Sequence, residues 1–139
     1  MVLPEKLQAL IEELSLTDED TRAEILIELA DEFEPVTADI ATTPYPEENR
    51  VPGCESEVFM FARARGDGSY DFHYAIENPQ GISAMAMASI IQQTLSGLPA
   101  DEIKSIPVDI AYQIFGRTLS MGKGQGLMGM VSMLKSVVG

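Results

Sequence analysis

Cys54 is the single cysteine of this 139-residue chain, and it stands in the string "NRVPGCESEVF" straight after Pro-Gly and ahead of two carboxylates, Glu55 and Glu57. A free cysteine often serves only as a small buried hydrophobe. Here Pro52-Gly53 fixes a sharp turn before the thiol, and a glycine lets another backbone or a ligand approach closely. The residues that follow read as a strand. A thiol aimed from a loop and anchored by a strand is placed as an acceptor site requires. An unperturbed thiol ionises near pH ~8.5, and reactive cysteines normally have positive neighbours that lower this value. Only Arg50 opposes Glu55 and Glu57, so like-charge repulsion is expected to disfavour the thiolate. Such a thiol is a poor autonomous nucleophile. It suits chemistry in which a second protein supplies the activating environment.

Other machinery is sparse. One cysteine and one histidine cannot build a structural zinc site within a single chain, so no metal is expected. The segment "GKGQG" (122–126) resembles a phosphate-binding loop only in its glycines, lacking the spacing and the Lys-Ser/Thr ending. His73 falls on the polar face of a strand, where it is either a surface residue or a base for the thiol. The methionines at 85, 87, 121, 128, 130 and 133 are expected to fill gaps between helices, with a Met-lined binding surface as the alternative.

The elements that must hold Cys54 follow from periodicity. Leu7, Leu10, Ile11 and Leu14 recur at helical spacing over residues 4–14, with Pro4 in the first turn. Thr17 reads as the N-cap of a second helix, with Asp18, Glu19 and Asp20 in its first turn and Ala23, Leu26, Ile27, Ala30 and Phe33 on one face. A long irregular connection, "EPVTADIATTPYPEENRVPG", then leads to the cysteine, and such segments are often functional. "SEVFMFARA" and "YDFHYAIE", joined by "RGDGS", predict a β-hairpin. Tyr70, Phe72, Tyr74 and Ile76 would face the core, with Asp71, His73 and Glu77 on a wetter face. A short third strand is expected just before Pro52. "ISAMAMASIIQQTLSG" reads as a central helix stopped by Gly97, followed by short helices in "LPADEIKSI" and "VDIAYQIFG". A final helix is expected to begin within "SMGKGQGL". Helices, hairpin, helices: the fold class is α+β, one domain over residues 1–139, with helices packed on one face of a small antiparallel sheet.

The net charge of −13 argues against nucleic acid and anionic membrane surfaces as partners. Fourteen of the 22 acidic residues precede residue 49, whereas Asp109 alone faces Lys104, Arg117, Lys123 and Lys135 after Glu102. The early acids form either a solvated face or a docking surface for a more basic protein. No secretory leader pattern and no apolar run long enough to span a bilayer is evident, so a soluble cytoplasmic protein is expected.

The string "RVPGCESEVF" resembles the signature of SufE-type sulfur acceptors: a turn, Gly-Cys, a polar residue, Ser, a polar residue, Val and an aromatic. "ILIELADEF" is similar to that family's second helix, and "LSMGKGQGLMGM" to the Ser-Arg-Ser-x-Gly-Leu segment that opens its last helix. The resemblance covers nearly the whole chain. It implies that a pyridoxal-phosphate cysteine desulfurase passes sulfane sulfur to Cys54, which carries it as a persulfide to an iron–sulfur cluster scaffold and stimulates the desulfurase. The pyridoxal phosphate would belong to the partner, leaving this chain with no cofactor of its own. By position Gly53 is the turn, Lys123 the counterpart of the family's arginine, and Glu55, Ser56, Gln125 and Gly126 supporting or partner-binding residues. Gly122 and Gly124 replace the flanking serines, and Phe59 the usual tryptophan. Lysine lacks the planar fork of arginine. The alternative is a non-catalytic module of the same fold that regulates a desulfurase by binding alone. An iron–sulfur scaffold of the IscU type is disfavoured, because it needs several thiolate ligands.

Overall fold

The computed structural model describes residues 3–116 and 119–138; Arg117 lies outside them. Helix α1 (Glu5–Ser15) starts behind Pro4 and buries Leu7, Ile11 and Leu14. Helix α2 (Glu19–Asp31) is capped by Asp18, whose carboxylate accepts the Thr21 N–H at 2.7 Å and is thereby held below the usual carboxylate range. The cap is therefore not Thr17, as the sequence suggested. The Thr17 hydroxyl points the other way and donates to the Leu14 carbonyl at 2.8 Å, closing α1. The buried face of α2 is Leu26, Leu29 and Ala30, whereas Ala23 and Ile27 of the expected face are exposed. Arg22 ties α2 to its surroundings, donating to the carbonyls of Leu14, Gln113 and Ile114 at 2.9–3.1 Å. It thereby satisfies carbonyls left open at two helix ends.

Strands β1 (Glu57–Ala64) and β2 (Ser69–Glu77) form the hairpin, in antiparallel register with Met60 opposite Tyr74 and Phe61 opposite His73. The third strand, β3 (Leu98–Pro99), pairs with the start of β2 at the far edge and gives the order β1-β2-β3. It is not the strand anticipated before Pro52. There the chain makes only an isolated bridge, Arg50 to Phe59, and one bond from Val51 N–H to the Val58 carbonyl at 2.8 Å. Pro52 has no N–H to extend that ladder, and Gly53, at φ 82°, turns the chain away.

Helix α3 (Ser83–Leu95) is buried on most sides and packs on β2, α1, α2 and the last helix. Val58, Met60, Phe72 and Tyr74 belong to the core it covers. The opposite sheet face is less wet than expected. Phe59 and Ala75 are buried there, and the long connection roofs them: the Tyr45 ring lies 5.2 Å from Phe59 and 5.8 Å from Phe61. The Arg50 guanidinium sits 4.8 Å from the Phe59 ring.

Short helices α4 (Ala100–Lys104) and α5 (Ile110–Phe115) lead to α6 (Met121–Val137). Ser120 caps α6, accepting the Lys123 N–H at 3.3 Å, so "GKGQG" is helix rather than loop. Met87 and Met130 fill the core as anticipated; Met121 does not, being 77% exposed at the helix start. The architecture is α+β.

Candidate functional site

Gly53 reverses the chain, Cys54 follows, and β1 begins three residues later, so the thiol stands on a loop-to-strand junction. The N-terminal half of α6 forms the wall behind it. The Cys54 Sγ–H is half-buried and donates to the Gly126 carbonyl oxygen at 3.3 Å. The approach depends on glycine: a Cβ on residue 126 would lie 3.0 Å from the Cys54 Cα, 3.2 Å from its Sγ and 3.2 Å from the Gly53 carbonyl oxygen. Gly122, Gly126 and Gly129 recur at helical spacing along the face that meets the cysteine loop, where their Cβ positions abut Glu55, Cys54 and Pro52 in turn. The glycines that make α6 look unlike a helix are what let it dock.

The rest of the cavity closes around the sulfur. Gln80 lines it from the β2–α3 connection and Ser83 and Ala84 from the first turn of α3, with Glu55, Ser56, Gly122, Lys123 and Leu127. The buried Ser56 hydroxyl accepts the Gln80 N–H at 2.7 Å. The Lys123 ammonium donates to the Gln80 carbonyl at 2.8 Å. Both residues thus hold one backbone segment, and Lys123 does so with a single donor, a task that does not call for an arginine fork. Gln125 points its side chain to solvent, while its carbonyl lies 3.5 Å from where a Gly53 Cβ would be.

Burial pushes the Cys54 thiol up to about 11. The direction is the one expected, but the cause is not the neighbouring carboxylates. Glu55 turns over Gly122 at the start of α6, and Glu57 accepts from Asn78 at 2.5 Å and faces Arg50 at 3.7 Å. His73, a candidate base, does not line the cavity; it pairs with Phe61 on the sheet face opposite Tyr74 and Met60. Among the described residues no cluster of three or more metal-ligating side chains exists, and no helix is long and apolar enough to cross a membrane.

A thiol with a raised pKa predicts a distinctive pH profile. Alkylation of the native protein by iodoacetamide should quicken about tenfold per pH unit up to pH ~11, instead of levelling near ~8.5 as for a free thiol. The sign for stability is fixed too. The contribution is complete below the unfolded pKa and is lost as pH rises towards the folded one, because the unfolded chain releases its proton first.

A thiol on this junction, backed by this helix, matches a known family: residues 8–138 fit SufE, the Fe-S metabolism associated domain. The chain belongs to the SufE family. SufE proteins are associated with iron–sulfur metabolism. An uncharacterized SufE-like protein of Rhizobium etli is 29% identical over 125 residues, covering 86% of this chain and 80% of that one. The solution structure of a hypothetical protein from Thermus thermophilus superposes with a TM-score of 0.78 at 20% identity, covering 99% of this chain and 96% of the other. It supports the α+β fold. Within that fold, sequence reasoning missed Gln80, Ser83 and Ala84, which carry no reactive group. It also missed the docking role of Gly129, although the spacing 122, 126, 129 was readable as one helix face.

Proposed function

We propose that this protein is a persulfide acceptor and carrier for iron–sulfur cluster assembly, a single cytoplasmic domain that takes sulfur from a cysteine desulfurase. Cys54 Sγ attacks the terminal sulfur of a persulfide on the desulfurase cysteine. A new S–S bond forms at Cys54, and the old one breaks with its electron pair leaving on the desulfurase cysteine, which takes up the proton that Cys54 gives up. Electrons balance, so no oxidant is needed. The carrier then offers its outer sulfur to a scaffold. Pyridoxal phosphate stays with the desulfurase, whose chemistry generates the first persulfide.

The observation supporting this reading is the seat of Cys54: a protonated, half-buried thiol held by one hydrogen bond beneath an exposed Pro52-Gly53 turn. In that seat it resists stray oxidants and reductants. A partner that lifts the turn returns the thiol to a setting where it ionises. Gly53 and Gly126 allow the close seat, Ser56 and Lys123 hold the cavity rim through Gln80, Glu55 lies against the α6 start, and Gln125 offers an exposed side chain to the partner. The same inertness also suits a module that regulates a desulfurase by docking alone.

Incubation with a cysteine desulfurase and free cysteine, followed by intact mass spectrometry, tests the carrier reading. We expect a species one sulfur atom heavier, mapped to Cys54 and lost on treatment with a thiol. An unmodified mass under conditions that stimulate the desulfurase would leave only the docking module.

A further inference from the structure

Ser56 is 7% exposed, follows Cys54 by two residues, and lines the same cavity as the sulfur. Its oxygen accepts the Gln80 N–H at 2.7 Å, and that is its only hydrogen bond among the described residues. A hydroxyl, however, is a donor as well as an acceptor. The Ser56 proton meets no acceptor among the described residues, although buried polar groups are almost always paired. Holding Gln80 does not account for that proton, because the oxygen alone does the holding. The cavity also has room. Its open volume is about 20 Å³, enough for one small guest beside the thiol.

What the sulfur needs from its surroundings changes with its charge. The neutral Cys54 thiol donates to the Gly126 carbonyl. An anionic sulfur has nothing to donate, and a carbonyl oxygen repels it. In a desolvated seat it is stabilised by hydrogen bonds given to it. Most of the lining cannot give one: Ala84, Gly126 and Leu127 have no side-chain donor, and Glu55 carries negative charge. The Lys123 ammonium is already turned to the Gln80 carbonyl, and Ser83 is half-buried, within reach of water. Ser56 combines burial with an unused proton, and accepting the Gln80 N–H polarises its hydroxyl into a stronger donor. We propose that the Ser56 hydroxyl is a positioning donor for anionic sulfur at Cys54, above all the outer sulfur of the persulfide, which extends one bond beyond Sγ into the cavity. The proposal rests on the carrier reading given above. It makes the seat two-sided: the Gly126 carbonyl for the empty carrier, the Ser56 hydroxyl for the loaded one.

Ser56→Ala in the full chain tests this, with Ser56→Thr as the variant that keeps a hydroxyl. Each protein is loaded with inorganic polysulfide, and alkylation of its persulfide by iodoacetamide is followed across pH by intact mass. The midpoint of that profile reports where the outer sulfur ionises. Losing a donor makes ionisation harder, whereas a loosened enclosure admits water and makes it easier, so the two effects have opposite signs. Ser56→Ala should raise the midpoint by about one pH unit, a tenfold change and the scale of a hydrogen bond to a charged group. Ser56→Thr should stay close to the unmodified protein. A midpoint unmoved or lowered in Ser56→Ala, or raised equally in both variants, overturns the donor role and leaves the carrier reading standing. If the unmodified protein takes sulfur neither from polysulfide nor from a desulfurase, the carrier reading fails. Thiol alkylation at a fixed pH below the thiol's own midpoint then decides: a tenfold slowing in Ser56→Ala keeps the donor for the thiolate, and an equal or faster rate overturns it. Should Ser56→Ala not fold, the Gln80 amide proton of the loaded, unmodified protein should move downfield as the persulfide ionises, because a hydroxyl that donates also accepts more strongly. A resonance that stays in place would overturn the proposal.

Discussion

Cys54→Ser is expected to abolish sulfur uptake while leaving the fold intact. The side chain is half-buried and makes one hydrogen bond, to the Gly126 carbonyl, which a serine hydroxyl can also make. The change in stability should therefore stay within about 1 kcal/mol, as for substitutions that open no cavity and strand no charge. Function should change completely. Serine has no nucleophilic sulfur, so the heavier species should vanish and stimulation of the desulfurase should drop to its unassisted rate. The two readings part here. A docking module would keep its stimulation with serine at 54, and a carrier would not. Measured desulfurase turnover with each protein settles the matter in one assay.

Gly129→Ala carries the largest expected effect on stability, with a sign opposite to helix propensity. Inside a helix, alanine is ordinarily better than glycine by about 1 kcal/mol. At 129 the added Cβ would overlap the Pro52 carbonyl oxygen and stand 3.5 Å from Val51 Cγ1. That loop cannot easily retreat, because Val51 is buried and bonded to Val58. Overpacking of this kind costs about 1–3 kcal/mol, enough to outweigh the propensity gain. Urea unfolding should show the loss, and alkylation of Cys54 should quicken as its loop is pushed off. Gly124→Ala is the control. The three atoms nearest its Cβ would all belong to the end of the Tyr112 side chain, which is 36% exposed and can yield more easily than a backbone carbonyl. Equal destabilisation at both positions would refute the docking account of α6.

Much of this was legible in the sequence, for reasons particular residues make plain. The stripe Leu7, Ile11 and Leu14 and the alternation of Phe72 with Tyr74 are burial patterns, and burial is what the folded chain keeps. The string around Cys54 placed the thiol correctly between a turn and a strand. The misreadings concern things that adjacency in sequence does not decide. Thr17 and Asp18 both suit a cap, and a one-residue difference in where α1 ends chose Asp18. Glu55 and Glu57 are neighbours of Cys54 along the chain, but Glu57 is engaged by Asn78 and Arg50 and Glu55 turns over Gly122, and burial alone shifts the thiol. The third strand joined the opposite edge because Leu98 follows α3 back to Tyr70, a meeting set by the length of a helix. Ser56 read simply as a supporting residue; its unused proton shows only once its neighbours are known.

The wall behind Cys54 is made from poor helical material. Gly122, Gly124 and Gly126 fall within the first six residues of α6, and each lowers intrinsic helicity by about 1 kcal/mol relative to alanine. That half-turned stretch is held in register by what leans on it, the cysteine loop above all. Pulling the loop away removes the support, so the stretch can unravel in the same motion. Exposure of the Cys54 thiol and loosening of its enclosure then become one coupled event, with a single barrier between the closed and open states.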